Sequence, residues 1–143
     1  MKFSSRIKVS LATALVGSLA LSTPTFAANS ICYYSFESEM YMGSNSSSFT
    51  PTNSDNVLTI VGWQDTNDNS KPADVEYKLI RSGFWGSTLV GSVRISGNKP
   101  QAVPSTWYRH VFTGVSPNYN YKLYTANWSQ KTVRGAGNAY DGY

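Results

Sequence analysis

Four oxygen-bearing side chains stand at the spacing with which a loop can wrap Ca²⁺. Asp65, Asn67, Asn69 and Glu76 occupy positions 1, 3, 5 and 12 of the stretch DTNDNSKPADVE. The sixth position, where the sharp turn calls for glycine, is Ser70, and Pro72 at the eighth removes a backbone donor. Strand-forming sequence flanks the stretch, where such a loop would have helices. The expectation is a polar turn, with a loose surface Ca²⁺ site as the chemistry to test. Asp and Asn are common in plain turns because their side chains bond the neighbouring backbone.

His110 is the only histidine and Cys32 the only cysteine. One of each cannot make a usual zinc site. A Cys–His pair or a Ser–His–acid triad is formally available, but nothing around any serine resembles a nucleophile elbow. Alternation sets His110 beside Phe112 at the rim of a core. Cys32 lies between Ile31 and Tyr33 and reads as a small buried hydrophobe. A chain with a single thiol cannot staple itself, so its core must hold it together. Glu37 and Glu39 share a strand face ~7 Å apart, a separation that two carboxyls could use on a glycosidic bond. A two-residue acidic stripe is more simply a solvated strand face. The expectation is a protein that is not an enzyme and carries no cofactor.

Aromatic surface remains. Ten Tyr and four Trp exceed what one small core has to bury. Register places Tyr124 and Trp128 on the face opposite Tyr121, and Trp85 lies in the loop SGFWGS. Flat rings with Asn, Gln and Ser nearby offer stacking area and orienting hydrogen bonds. Trp85, Tyr124 and Trp128 are therefore the candidate ligand-binding residues, for an extracellular glycan or protein.

The elements that would position these residues begin with a leader. Met1–Ala27 has a charged start (Lys2, Arg6, Lys8), an apolar run from Val9 to Leu21 and small residues at Thr25 and Ala27, the plan of a secretory signal. The run is too short to span a bilayer. Removing 27 of 143 residues leaves 116, a single domain over residues 28–143. Three of the twelve Lys and Arg leave with the leader, so nine face eight acidic residues and the balance is +1. The pI of 9.2 belongs mostly to the leader. Nucleic acid and anionic membranes gain no support as partners from that balance. A secreted monomer is expected.

Beyond the leader no helical period is sustained, and short apolar–polar alternations separated by turn residues recur. Strands are expected in Ser30–Met42, at Val57–Trp63 and at Val75–Arg81. Two short ones flank Gly91, and others fall at Trp107–Thr113, after Pro117, and weakly at Thr132–Ala139. In Val57–Trp63 the register set by the Trp turns Val57, Thr59, Val61 and Trp63 inward. The fold class is all-β, an antiparallel two-sheet sandwich.

Val115-Ser116-Pro117-Asn118-Tyr119-Asn120-Tyr121 resembles the tyrosine corner of fibronectin type III domains. Val57 to Trp63 is similar to that family's second strand, and Val75-Glu76-Tyr77-Lys78-Leu79 to its third. Thr125 and Asn127 stand where the family prefers apolar residues. The likeness covers about residues 56–139. It implies a fibronectin type III-like (Ig-like) sandwich with Trp63, Tyr77 and Tyr121 in its core, the last with its hydroxyl on the preceding turn. It also implies a spacer or adhesive role. The function expected is secreted, non-enzymatic recognition of a polysaccharide or cell-wall surface. The alternative is a small effector, an enzyme inhibitor or antibacterial protein, acting on a protein partner.

Overall fold

In Ser30–Ser38 the side chains alternate strictly: Cys32, Tyr34, Phe36 and Ser38 are buried, while Tyr33, Ser35 and Glu37 are exposed. A strand with one covered face gives this pattern. The computed structural model describes residues 30–143, so the expected leader lies outside the described residues. Eight strands follow in order: β1 (Ser30–Ser38), β2 (Gly43–Asn45), β3 (Val57–Asp65), β4 (Asp74–Gly83), β5 (Gly86–Ser96), β6 (Tyr108–Thr113), β7 (Tyr121–Asn127) and β8 (Val133–Asp141). One sheet runs β1-β8-β3-β6 and the other β2-β7-β4-β5, with antiparallel pairing throughout. The fold is a two-sheet antiparallel β-sandwich.

The core between the sheets is built on phenols. The hydroxyls of Tyr34 and Tyr108 share a hydrogen bond of 2.8 Å, and the Tyr77 ring lies 5.0 Å from that of Tyr108. Tyr77 donates to Oε1 of the buried Gln64 at 2.9 Å, whose amide nitrogen donates to the Ile95 and Gly97 carbonyls. Burial pushes all three phenols well above their ordinary range, so they stay neutral hydrogen-bonding groups. Gly62 makes room for them. A Cβ there would lie 2.6 Å from the Tyr108 hydroxyl and 2.5 Å from the Ala136 carbonyl.

Tyr121 is 0% exposed and closes the expected corner. Its hydroxyl accepts from the Ser116 N–H at 2.9 Å and donates to the Ser116 carbonyl at 3.1 Å. Asn118 turns the chain with φ of 65°, a left-handed value that Asn tolerates. Asn127, polar where an apolar residue was anticipated, is buried without being orphaned. Its amide donates to the carbonyls of Ser38, Glu39 and Lys131, and its Oδ1 accepts from the Ser129 N–H.

Three expectations change. The β3 register is the reverse of the one the Trp suggested: Leu58, Ile60 and Gln64 point into the core, and Trp63 sits half-buried on the outer face. Val57 and Thr59 are buried as well, because the carboxyl-terminal residues cross that side. The Thr59 hydroxyl donates to the Gly142 carbonyl at 2.6 Å. The segment read as two strands around Gly91 is one strand, whose register slips at Leu79/Ile80 and leaves Val90 as the extra residue of a bulge. The Gly-rich ending is no weak strand. β8 lies between β1 and β3, and its glycines leave space for the rings of Tyr34 and Phe36. In the Ig plan a last strand lies beside the sixth; here it crosses to the other sheet.

Candidate functional site

β7 and β4 together present one outer face. Lys122, Tyr124 and Ala126 alternate outward on β7, opposite Ile80, Lys78 and Glu76 of β4. Tyr124 lies across β2, where a Cβ at Gly43 would come within 2.4 Å of its ring. Trp128 continues the outward series ~13 Å along the strand direction from Tyr124, with the small Ala126 between them. Its backbone N–H donates to the Asp74 carbonyl at 2.8 Å, and its indole N–H donates to Glu76 Oε2 at 3.2 Å. The Arg94 guanidinium stands 5.3 Å from the indole centroid, and the Tyr41 ring meets it edge-on at 6.2 Å. Arg94 is itself held by both oxygens of Asp74. That guanidinium is the main cause holding the Asp74 carboxyl below the usual range, against the opposing effect of burial.

Beside Trp128 opens a groove of ≈ 330 Å³. Trp128, Pro72 and Ala73 are its apolar lining, Asp74, Ser70 and Ser96 its carboxylate and hydroxyls, and Lys71 and Gln130 further donors, while the Ser129 hydroxyl is buried and tied to the Asp74 backbone. A ring to stack on, next to a fixed carboxylate–guanidinium pair and several hydroxyls, suits a polyhydroxylated ligand. Such a ligand presents one apolar face and an edge of donors and acceptors.

The structure brings Tyr124 and Trp128 to this face and leaves Trp85 elsewhere. Trp85 caps the β4–β5 turn at the far end of β4, ~30 Å from the Asp74 end by strand rise. There it meets Phe84 edge-on, with centroids 5.0 Å apart. The three do not form one site.

The oxygens expected around Ca²⁺ are also separated. Asp65 ends β3 in one sheet and caps its own turn, accepting from the Asn67 N–H at 2.7 Å. Glu76 belongs to β4 in the other sheet and engages Lys78 and Trp128. The turn is organised by Asn98. Its Oδ1 accepts from Thr66 N–H, the Thr66 hydroxyl and Ala73 N–H, and its amide nitrogen donates to the Asp68 carbonyl and Asn69 Oδ1. Among the described residues no three His, Cys, Asp or Glu come together as a metal cluster would.

His110 lies on β6 with its ring 4.7 Å from that of Phe112, and partial burial lowers its pKa. Cys32 packs in the core, where desolvation raises its thiol. Glu37 pairs with Arg134 across β1 and β8 at 3.1 Å, and Glu39 falls in the turn after β1.

Reading Trp63 as core hid a second aromatic face. Trp63 lines two grooves of ≈ 440 and ≈ 410 Å³ on the outside of the first sheet, both shared with Arg134. Ser35 and Ala136 are the small residues between Trp63 and the exposed Tyr33. The signal that could have found it is Gly62, which follows the core-facing Leu58 and Ile60 at the same parity.

The chain is thus a two-sheet antiparallel β-sandwich carrying aromatic outer faces. No family model matches it, and no curated protein matches it. Among solved structures it is similar to one described as "Structure of infectious bursal disease virus Gt strain". The identity is 15% and the TM-score 0.44, over 79% of this chain and 32% of that one. The chain spans about a third of that chain's length.

Proposed function

We propose that the protein is a secreted, non-enzymatic binding protein that recognises a polysaccharide or cell-wall glycan through the outer face bearing Trp128 and Tyr124. The observation that carries this reading is the Trp128 ring beside the Asp74–Arg94 pair on the rim of a ≈ 330 Å³ groove. Stacking on the ring supplies affinity, and the ion pair and nearby hydroxyls supply orientation. The likeness to fibronectin type III domains enters here as support for a binding role, resting on the Tyr121 corner and the buried Tyr77. The crossing of β8 limits that likeness to the middle of the chain.

The test is retention on a panel of insoluble glycans such as cellulose, chitin and peptidoglycan, with Trp128→Ala and Tyr124→Ala beside the unaltered chain. Retention on at least one glycan that both changes reduce supports the reading. Equal retention of all three proteins ends it. A stoichiometric protein recovered with the chain instead would favour the effector alternative.

A further inference from the structure

The β4–β5 hairpin outruns its sheet. Its last rung shared with β7 is Arg81↔Tyr121, and the rungs Ser82↔Ser87 and Gly83↔Gly86 continue beyond it. At the apex two adjacent aromatics are left in solvent: Phe84 is 93% exposed and Trp85 95%. Isolated exposed apolar side chains are ordinary, but two large neighbours at a projecting tip are not.

Geometry decides what such a tip can meet. The two rings stand at 86° to each other, edge on face, so they form a wedge and offer no flat platform for a sugar chain. A convex wedge needs either a matching socket or a medium that yields to any shape. Charge narrows this choice. From Tyr77 to Tyr140 the sequence has no Asp or Glu and eight Lys or Arg. Of these, Lys78, Arg94, Lys131 and Arg134 are paired with carboxylates outside that stretch, and Arg81, Lys99, Arg109 and Lys122 are not among those pairs. Two of these cations stand just behind the tip. Arg81 lies over the half-exposed ring of Tyr119 at 5.0 Å, and Lys122 faces outward on β7 opposite Ile80. Among the described residues, Asp141 is buried at the close of β8, and the Asp55 carboxylate ahead of β3 is engaged by its neighbour Asn53. Neither belongs to the hairpin's sheet.

The balance of +1 over residues 28–143 gives an anionic membrane no support, but the local placement of Arg81 and Lys122 behind the tip does. We infer that the Phe84–Trp85 tip inserts into the interface of an anionic lipid bilayer, with Arg81 and Lys122 reaching the headgroup phosphates and Tyr119 at the boundary. The depths agree. Interfacial segments bury their apolar face ~5–10 Å, and Arg81 stands three residues behind Phe84, ~10 Å at strand rise. Long basic side chains at that level meet the phosphates while the rings enter the acyl boundary. This docking is independent of the Trp128 groove, which lies at the other end of β4.

The experiment is co-sedimentation of residues 28–143, which contain the whole described sandwich and omit the apolar leader. Vesicles of phosphatidylglycerol with phosphatidylcholine are compared with phosphatidylcholine alone. Three proteins are used: unaltered, Phe84→Ala/Trp85→Ala, and Arg81→Gln/Lys122→Gln. The expected result is binding to the anionic vesicles that falls at least ~10-fold in the aromatic variant and weakens with salt or in the charge variant. Both changed tip residues are exposed, so the melting temperature of the aromatic variant should not move. Trp128→Ala should leave vesicle binding intact, which separates this inference from the glycan reading. Absence of binding at millimolar lipid overturns it, as does equal binding by the aromatic variant or by neutral vesicles. A dimer that the aromatic variant loses also overturns it, since the tip would then meet a second copy of the chain.

Discussion

Replacing Trp128 by Ala removes the ring on which the glycan reading depends, and the expected loss can be sized. A large aromatic side chain contributes up to ~250 Å², and Trp128 is 42% exposed, so ~100 Å² is available to a ligand. At ~25 cal/mol per Å², complete coverage is worth ~2.5 kcal/mol, and coverage of one face about half that. Affinity for a retained glycan should therefore fall between roughly 10-fold and 70-fold. Isothermal titration or affinity electrophoresis against a soluble form of that glycan reads this directly. The indole also donates to Glu76 and lies beside Arg94 and Tyr41, so the melting temperature must be followed in parallel. Trp128→Phe keeps much of the ring while losing the Glu76 bond, and should recover most of the affinity. A Trp128→Ala chain that melts normally and binds within twofold of the unaltered one would refute the reasoning.

Tyr121→Phe leaves both Ser116 backbone groups without their phenol partner, and should cost ~1–3 kcal/mol in urea unfolding; a change below ~0.5 kcal/mol would show that the corner is not stabilising. Asn98→Ala removes the hub of the residue 66–73 turn. It should destabilise by ~2 kcal/mol and speed amide exchange there, while millimolar Ca²⁺ leaves the melt of either protein unmoved. A Ca²⁺-dependent rise would restore the metal site. Burial lowers the His110 pKa from 6.5, so the unfolded chain takes up a proton there before the folded one does. Stability should decline as pH drops below 6.5, and His110→Gln should flatten that step in melts recorded across pH 5–8. Asp74 has the same sign lower down. Its depressed pKa gives a contribution present above the ordinary value of 3.8 and lost as pH falls through the folded value. Asp74→Asn should remove that acid-limb dependence.

How much was legible depended on whether the information was local. Pro117 and Tyr121 fix a strand start and a buried hydroxyl within a few residues of each other, so the corner could be read from the chain alone. The same holds for the all-β class, because alternation and turn chemistry are properties of neighbouring residues. Tyr124 and Trp128 were correctly placed on one face because they share a strand's parity. Which face of β3 meets the core was not legible. Val57, Leu58, Thr59 and Ile60 are all buried, and only the space demanded by Tyr34 and Tyr108 selects the side where Gly62 must lie. Trp63 was turned outward by packing from strands far away in sequence.

The sequence by itself determined the strand-and-turn grammar and the Tyr121 clamp, since each follows from residue type and short spacing. Only the tertiary structure decided that the Gly-rich ending is an inner strand of a sheet, that Trp85 and Trp128 stand at opposite ends of β4, and that Asp65 and Glu76 belong to different sheets. Those facts rest on pairings across dozens of residues. There the fit of ring to glycine and of strand to strand outweighs any local preference.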